Sequence, residues 1–452
     1  MPWWRSRRGT PFWAGLAVCV CHGGSEERSP PDWCKDKRDD CHQYVGRGPL
    51  GGACVQHEQY MRLFCARTCS FCDKNEDELQ TSQVVVAGRP VGILKARGVR
   101  GWAFMQLPIK DTVSSCSSEE LTCTASSHFR SHAASARFYN SLTHHLNSSV
   151  YRWDSSVRQF KLHQALPTVG AWAISPFQIS GDSYLAIASF FDGTSRKLNS
   201  RVYRWDADAD AFVFHQDIAT EGAKDVEFLP MTDSWGVLAF AGATADDNAG
   251  EIRFFTWLPS EQQFQKLEVL ETANAYDVEA FLPASGEQAM VVVHEEGVDV
   301  YAAEWSDGRF QGFVRLQTLS VRHGRDAEHI PLRGRDFVVV AVFRDDKSYE
   351  VDSIVFEWQA ERRALAEVQR LASAGAFDVE LLHLTPSEPV VLVSSQRAGM
   401  SSLYGLAEVG ECGEGQLLCP RDELSTPKVY NVASYFVPEA QMNFLGIANF
   451  WD

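Results

Sequence analysis

The string VYRW occurs at residues 150–153 and again at 202–205, and related strings recur along the rest of the chain. These are FFTW (254–257), AAEW (302–305), VFEW (355–358) and LYGL (403–406). Their last residues lie 52, 52, 48, 53 and 48 positions apart. A regular period of about fifty residues predicts a repeat architecture.

Each repeat contains four strand signals separated by turn residues, and it shows no helical periodicity. β-Branched strands such as FVVVAVF (337–343) lie between the aromatic strings, and an Asp-x-Glu element precedes four of them. Four strands in about 40–50 residues are typical of a propeller blade. We therefore predict an all-β fold, a seven-bladed β-propeller over residues 117–452. The predicted inner strands are Leu121–Ala125, Val429–Ala433 and five strands marked by Trp172, Asp225, Asp277, Asp326 and Asp378.

The last blade is short of strands, because the VYRW-type strand appears six times against seven inner strands. The strand FLGIANFW (444–451) therefore needs a partner. Residues 84–110 contain short strand signals, a β meander with no other assignment. An open apolar edge promotes aggregation, which favours closure of the ring by this meander. The alternative is an incomplete last blade.

The repeat resembles the epilepsy-associated repeat, also called EAR or EPTP, over roughly residues 117–452. The resemblance rests on the VYRW strand, the Phe that follows it, as Phe212 follows Trp205, and the later Gln216-Asp217-Ile218. It implies a seven-bladed propeller of the kind found in leucine-rich glioma-inactivated proteins, which binds other extracellular proteins without catalysis. Leu406 in place of Trp and the altered fourth unit depart from the pattern.

Four equivalent carboxylates are the candidate metal ligands of the propeller: Asp225, Asp277, Asp326 and Asp378. If their strands are innermost, each Asp and the Glu two residues later face the channel. Converging carboxylates repel one another, so a cation lies among them or hydrogen bonds from the next blade hold each one. Hard oxygen ligands suit calcium, the only cofactor that we predict.

Eight of the twelve cysteines lie before residue 73. Six of them form one block: Cys34, Cys41, Cys54, Cys65, Cys69 and Cys72. So short a stretch cannot bury enough surface to fold unaided, so we predict disulfides. A zinc site is the competing interpretation, but its four ligands would leave two cysteines unpaired.

The block resembles the ShKT domain, named after a sea-anemone potassium-channel toxin, over residues 34–72. The resemblance rests on CKDKRDDC, on C-VQHEQYMRLF-C and on CARTCSFC. It implies a small α-helical module with the pairs Cys34–Cys72, Cys41–Cys65 and Cys54–Cys69. The toxins use a Lys–Tyr pair to block channels, and this chain has Gln59-Tyr60 in its place. We therefore interpret the module as a recognition or spacer element, with channel modulation as the alternative.

The flanking composition indicates a secreted protein. Basic residues followed by a short apolar run predict a signal peptide over residues 1–24. Residues 73–83 are polar and acidic, as in a linker. The 42 Lys and Arg residues against 59 Asp and Glu give a net charge of -17, which disfavours nucleic acid as a partner. No apolar run reaches the roughly 18 residues that a membrane-spanning helix needs.

The remaining cysteines form two similar clusters, Cys116 with Cys123 and Cys412 with Cys419. Four thiols allow three pairings, of which the local one closes short loops and a crossed one would clamp the ends of the ring. Asn147 begins the sequon Asn147-Ser148-Ser149, a glycosylation candidate in a predicted exposed turn.

An enzyme interpretation rests on two short motifs. Gly181-Asp182-Ser183 imitates the nucleophile block of GDS-type esterases, and Asp326-Ala327-Glu328-His329 imitates their Asp-x-x-His partner. The repeat explains both, and a nucleophile elbow needs a helix. We predict no catalytic residues and no enzyme. The predicted function is a secreted binding protein with an extracellular or cell-surface protein partner; a calcium-dependent matrix or adhesion protein is the alternative.

Overall fold

The computed structural model describes residues 79–96, 98–109, 128–140, 142–244, 249–385, 388–407, 412, 416–426 and 428–449. The chain divides into two units, residues 1–74 and 75–452, and the described residues belong to the second. The predicted signal peptide and ShKT module lie outside the described residues. Every regular element described is a β-strand, and no helix in this part of the chain could cross a membrane.

The strands form seven four-stranded sheets, the blades of a propeller. In each blade the first strand named lines the channel and the fourth is outermost. Blade 1 contains β3 (Val99–Ile109), β4 (His128–Arg137), β5 (His145–Asp154) and β6 (Gln159–Val169). Blade 2 contains β7 (Ala171–Ile179), β8 (Asp182–Ser189), β9 (Lys197–Asp206) and β10 (Ala211–Glu221). Blade 3 contains β11 (Ala223–Thr232), β12 (Trp235–Ala243), β13 (Ala249–Leu258) and β14 (Gln263–Ala273).

Blade 4 contains β15 (Ala275–Phe281), β16 (Ala289–His294), β17 (Gly297–Ser306) and β18 (Arg309–Leu319). Blade 5 contains β19 (Gly324–Leu332), β20 (Arg335–Val342), β21 (Ser353–Gln359) and β22 (Ala364–Leu371). Blade 6 contains β23 (Ala376–Thr385), β24 (Glu388–Ser395), β25 (Met400–Leu406) and β26 (Leu418–Ser425). Blade 7 contains β27 (Val429–Val437), β28 (Met442–Asn449), β2 (Arg89–Lys95) and β1 (Gln80–Val86).

Burial along each blade explains the sequence pattern. The second strand is covered on both faces by neighbouring blades, and all six side chains of β16 are buried. Such a strand needs a continuous apolar run, which Val, Ala and Ile supply. The outer strand β10 alternates between buried and exposed side chains instead. The blades pack through aromatic residues, as where Phe177 of blade 2 stacks on Phe228 of blade 3 at 4.5 Å between ring centroids.

The ring is closed by the N-terminal strands, as the strand count predicts. Strand β2 pairs in parallel with β28 from Val91↔Asn443 to Lys95↔Ile447, and β1 pairs outside β2. The last blade therefore joins both ends of the propeller. The inner edge of FLGIANFW is paired as well, to β27.

Three boundaries differ from the sequence-based expectation. The inner strand of blade 1 is Val99–Ile109, so the assignment of Leu121–Ala125 to that position is wrong. The predicted meander is split between two blades, and the propeller begins at Gln80 rather than at residue 117. Gln80–Gln83, assigned to the linker, are part of β1.

The outer strands of adjacent blades are joined by amide side chains. Gln216 donates from Nε2 to the Phe264 carbonyl at 2.8 Å, and its Oε1 accepts from the Phe264 amide at 2.8 Å. Gln164, Gln317 and Gln369 make the same two-way contact with the next blade. The Gln of the repeat motif is therefore a clasp between blades.

Candidate functional site

The seven inner strands bring equivalent side chains around one channel, as their mutual contacts show. Three levels of side chains follow from the register. The first level, the mouth ring, is formed by Arg100, Trp172, Lys224, Tyr276, Arg325, Phe377 and Tyr430. The second is one residue further along each strand and contains the four predicted aspartates. The third contains Glu227, Glu279, Glu328 and Glu380.

The four aspartates hold neighbouring blades together. Oδ2 of Asp225 accepts from the Val278 amide at 3.1 Å. Asp277 accepts from Ala327 at 3.0 Å, Asp326 from Val379 at 2.8 Å, and Asp378 from Val432 at 3.0 Å. Asn431 replaces Asp in blade 7 and accepts from the Trp102 amide of blade 1 at 2.9 Å. The hydrogen-bonding alternative stated for these residues is therefore present in the structure.

The same position carries no such acceptor in the first two blades. Gly101 and Ala173 stand there, so the chain of links runs from blade 3 through blade 7 to blade 1. The carboxylate oxygens are thus concentrated on one side of the channel. Two glutamates add further links, Glu279 to the His329 amide at 3.0 Å and Glu380 to the Ser434 amide at 2.9 Å.

Burial keeps these carboxyl groups protonated to unusually high pH. It raises the pKa of Asp225 to about 6, of Glu380 to about 7 and of Glu279 to about 8. Burial together with neighbouring carboxylates also raises the pKa well above the ordinary value at Glu227, Asp277, Asp326, Glu328 and Asp378. The channel is therefore an acidic chamber that holds protons near neutral pH.

The chamber around the carboxylates is small, with a volume of about 250 Å³. In the described residues no group of three or more His, Cys, Asp or Glu side chains is arranged to hold a metal ion. Carboxylate oxygens are the chemistry that calcium prefers, but this arrangement does not form a ready coordination shell. Calcium binding stays a prediction.

Cations and aromatic rings are interleaved in the mouth ring. The Arg100 guanidinium lies 4.3 Å from the Trp172 ring centroid and 3.6 Å from that of Tyr430. Tyr276 lies between two cations, with the Lys224 ammonium and the Arg325 guanidinium each 3.9 Å from its centroid. Cations over aromatic faces are attracted by the ring quadrupole.

The three mouth cations are almost fully buried, at 7–9% exposure, whereas the aromatic residues are partly exposed. Arg325 donates to Glu295 Oε2 at 3.1 Å, and Lys224 donates to Asn274 Oδ1 at 2.5 Å. Burial lowers the pKa of Arg100 to about 10, so it remains charged at neutral pH. The mouth is thus a positively charged aromatic rim above an acidic chamber.

Sequence reasoning missed the mouth ring. Each of its members is the residue directly before the Asp position of its strand. The one feature of the sequence that could have revealed the ring is that this residue is always a large cation or an aromatic. The Asp-x-Glu motif marked the strand and drew attention to the acidic side chains alone. A β-bulge between Ala223 and Asp225 lets residue 224 line the channel beside its neighbour.

The other predicted sites are scattered. Cys412 and Cys419 form a local disulfide, with 6.0 Å between their Cα atoms. Cys116 and Cys123 lie outside the described residues, as do the six ShKT cysteines Cys34, Cys41, Cys54, Cys65, Cys69 and Cys72. Asn147 is exposed but lies within strand β5, not in a turn.

The esterase-like motifs do not meet. Ser183 is a buried residue of blade 2, whereas Asp326 and His329 belong to blade 5. His329 Nε2 pairs with Asp336 Oδ1 at 3.0 Å in its own blade. The serine and the histidine therefore do not form a catalytic pair.

Two segments of the chain are similar to a known repeat family. Residues 159–206 and 312–359 match the EPTP domain family. The first match runs from the outer strand β6 through β9 of the next blade, so the sequence repeat and the blade are out of phase by one strand.

The chain is also similar to longer proteins. It is 27% identical over 271 residues to the mouse thrombospondin-type laminin G domain and EAR repeat-containing protein, a match covering 55% of this chain and 38% of that protein. It is 33% identical over 100 residues to mouse leucine-rich repeat LGI family member 3, covering 22% of this chain and 17% of that protein. The matches thus span well under half of either relative.

Among solved structures, a protein from Lactobacillus plantarum superposes with a TM-score of 0.48 at 12% identity, covering 79% of this chain and 95% of that one. The sequence similarities support an EPTP-type repeat in a seven-bladed propeller.

Proposed function

We propose that this chain is a secreted, non-enzymatic propeller that binds an extracellular or cell-surface protein at its channel mouth. The mouth ring is the observation that carries the proposal. Trp, Tyr and Arg dominate the binding energy of protein interfaces, and the ring concentrates these residue types at one partly exposed site. Its side chains are already ordered by their stacking, so binding loses little conformational entropy.

The charges of the ring indicate which side chains fit. Arg100, Lys224 and Arg325 repel a basic residue at the mouth and attract a carboxylate, and the rings of Trp172 and Tyr430 offer apolar surface. A partner that presents an apolar side chain next to an acidic one complements this rim. The acidic chamber below adds the converse constraint, since it disfavours an anion that reaches deeper than the ring.

The dimensions of the channel favour docking at its mouth over a small-molecule pocket inside it. Its chamber of about 250 Å³ is smaller than the pockets of about 300–1,000 Å³ that hold small-molecule ligands. The one serine motif is buried away from any histidine partner in the described residues. These features suit a docking surface.

The test uses the full chain with a C-terminal fluorescent tag, expressed in mammalian cells. We expect the protein in the medium and bound to cell surfaces in a saturable manner. Trp172→Ala and Tyr430→Ala should each weaken surface binding at least tenfold while the melting temperature shows that the propeller is folded. Phe214→Ala, which removes an exposed aromatic ring from the outer strand of blade 2, is the matched control.

Retention of the protein inside the cell would contradict secretion. Equal surface binding by both mouth variants and the parent would contradict the docking site. Esterase activity that Ser183→Ala removes would contradict the non-enzymatic assignment. Repeating the assay in EDTA tests the calcium-dependent alternative.

A further inference from the structure

A Trp–Phe pair is repeated in the blades and buried in most of them. Trp153–Phe160, Trp205–Phe212 and Trp257–Phe264 pack edge to face with centroids 5.3, 5.2 and 5.0 Å apart. The exposed fractions of these three tryptophans are 3–5%. In blades 1–3 the pair is therefore part of the core between blades.

Blade 4 keeps the pair but moves it out of the core. The strand register makes Val300 equivalent to Val150, because each faces the same position of its second strand. Trp153 follows Val150 by three residues, so its equivalent in blade 4 is Ala303, which is 4% exposed. Trp305 comes two residues later, is 45% exposed, and still packs edge to face on Phe310 at 5.6 Å. The sequence alignment that matches the Trp of AAEW to the Trp of VYRW is therefore wrong, because Ala303 and not Trp305 occupies the position of Trp153.

The displaced pair is part of a larger aromatic surface, which we call the blade 3–4 patch: Trp235, Trp305, Phe310 and Phe313. The Trp235 ring lies 5.8 Å from that of Trp305 and 5.7 Å from that of Phe310. Phe310 lies 5.2 Å from Phe313. Trp235 begins a second strand and Trp305 lies near the end of a third, so the patch is at the end of the blades opposite the channel mouth.

Acidic residues flank the patch. Asp233 lies in the turn before Trp235, and Glu304 and Asp307 stand on either side of Trp305; all three are exposed. Arg309 is the one exposed base in these two turns, and none of the four side chains forms an ion pair within the described residues. The rim of the patch is therefore net negative and its charges are unpartnered.

We propose that the blade 3–4 patch is a second docking surface, for an extended basic segment of a partner protein. An Arg or Lys side chain stacks on the exposed face of Trp305 while its charge pairs with Glu304 or Asp307. The exposed ring of Trp305 next to unpaired carboxylates selects a cation on a long apolar stem over a purely apolar group. The charge of the patch rim is opposite to that of the cationic mouth ring, so the two surfaces bind different segments of a partner.

The experiment measures binding of a fluorescein-labelled peptide of alternating arginine and proline to the full chain by fluorescence anisotropy. We expect saturable binding that weakens with salt, with Trp305→Ala raising the Kd about tenfold. Glu304→Lys combined with Asp307→Lys should raise it further. Phe214→Ala, an exposed aromatic outside the patch, and a peptide of alternating glutamate and proline are the controls.

Three results would overturn the proposal. One is equal binding of the arginine peptide by the parent and both patch variants. Another is equal binding of the glutamate peptide. The third is concentration-dependent self-association in sedimentation velocity that Trp305→Ala removes, since a second copy would then occupy the patch. Should Trp305→Ala fail to fold, the lysine variant still decides, because both of its substitutions are on exposed side chains.

Discussion

Single side chains distinguish the junction between blades 3 and 4 from the four junctions that have a glutamine clasp. Glu268 occupies the clasp position that Gln164, Gln216, Gln317 and Gln369 fill in four other blades. Among the described residues it accepts only from the Phe313 amide, at 3.3 Å. A carboxylate cannot donate back to a carbonyl, so this junction between blades 3 and 4 lacks half of the clasp. Burial raises the pKa of Glu268, which indicates that the charged form fits poorly there. The motif Gln216-Asp217-Ile218 was visible in the sequence, but its role was not, because the partner backbone lies 48 residues further along the chain.

The clasp gives a reciprocal prediction. Glu268→Gln should stabilise the propeller by about 0.5–1 kcal/mol, because the amide supplies the missing donor and removes a poorly hydrated charge. Gln216→Glu should destabilise it by about 1–3 kcal/mol, because the Phe264 carbonyl loses its donor. Urea unfolding of both variants at neutral pH measures the difference. Destabilisation by Glu268→Gln would contradict the prediction, because it would mean that the Phe313 carbonyl does not accept a hydrogen bond from the new amide.

The channel carboxyls predict an unusual pH dependence. A carboxyl whose pKa is higher in the folded than in the unfolded state stabilises the fold below its unfolded pKa, and this contribution is lost as pH rises through the folded value. For Asp225, Glu380 and Glu279 the loss falls between about pH 4 and the folded values of about 6, 7 and 8. We expect the melting temperature to be higher at pH 5 than at pH 8.

Glu279→Gln should flatten that profile and add about 2–4 kcal/mol of stability at pH 8. Glu361→Gln, on the exposed turn between β21 and β22, should leave the profile unchanged. Calcium, predicted from the Asp-x-Glu pattern, would instead raise the melting temperature at pH 8 in a way that EDTA reverses and Asp277→Asn removes. A melt that rises with pH and ignores calcium would contradict both accounts of the channel.

The strands that could be predicted from the sequence are those that carry a recurring motif of the repeat. The second strands are buried on both faces, so their apolar runs were evident, and the Asp-x-Glu strands were recognised because their acidic side chains recur. Strand β3 was assigned to the closing meander and not to the channel because Gly101, Trp102 and Ala103 replace the acidic motif there. Residues 110–127 also lie between β3 and β4 in the sequence, and this spacing puts β3 out of the period. The mouth ring was missed because its seven positions hold five different residue types, three cations and four aromatics in all, so no single residue marks the position.

The propeller is a ring whose two ends meet in blade 7. Hydrophobic contacts of that blade combine Ile93 of the N-terminal hairpin with Leu445 of the last strand and Leu392 of blade 6. The contact with blade 1 is equally close, since a Cβ at Gly446 would lie 2.5 Å from the Trp102 side chain. Each blade otherwise packs only on its neighbours, so closure makes seven local units cooperate. The strand count predicted this closure because seven inner strands against six VYRW-type strands left one edge of FLGIANFW without a partner.

The last prediction tests that cooperation. Ile93 is 3% exposed and lies in β2, the strand that joins β28, so Ile93→Asp places a charge inside the closing sheet. Val85→Asp, in the adjacent strand β1, changes a side chain that is 68% exposed and serves as the control. We expect Ile93→Asp to lower the melting temperature of the entire propeller by more than about 5 °C in a single transition, and Val85→Asp to leave it within about 1 °C. Hydrogen exchange should then show faster exchange in blades far from the substitution, such as β12 and β16, since opening the ring removes their support. Acceleration confined to blade 7 would mean that the blades unfold independently and that the hairpin only covers an edge.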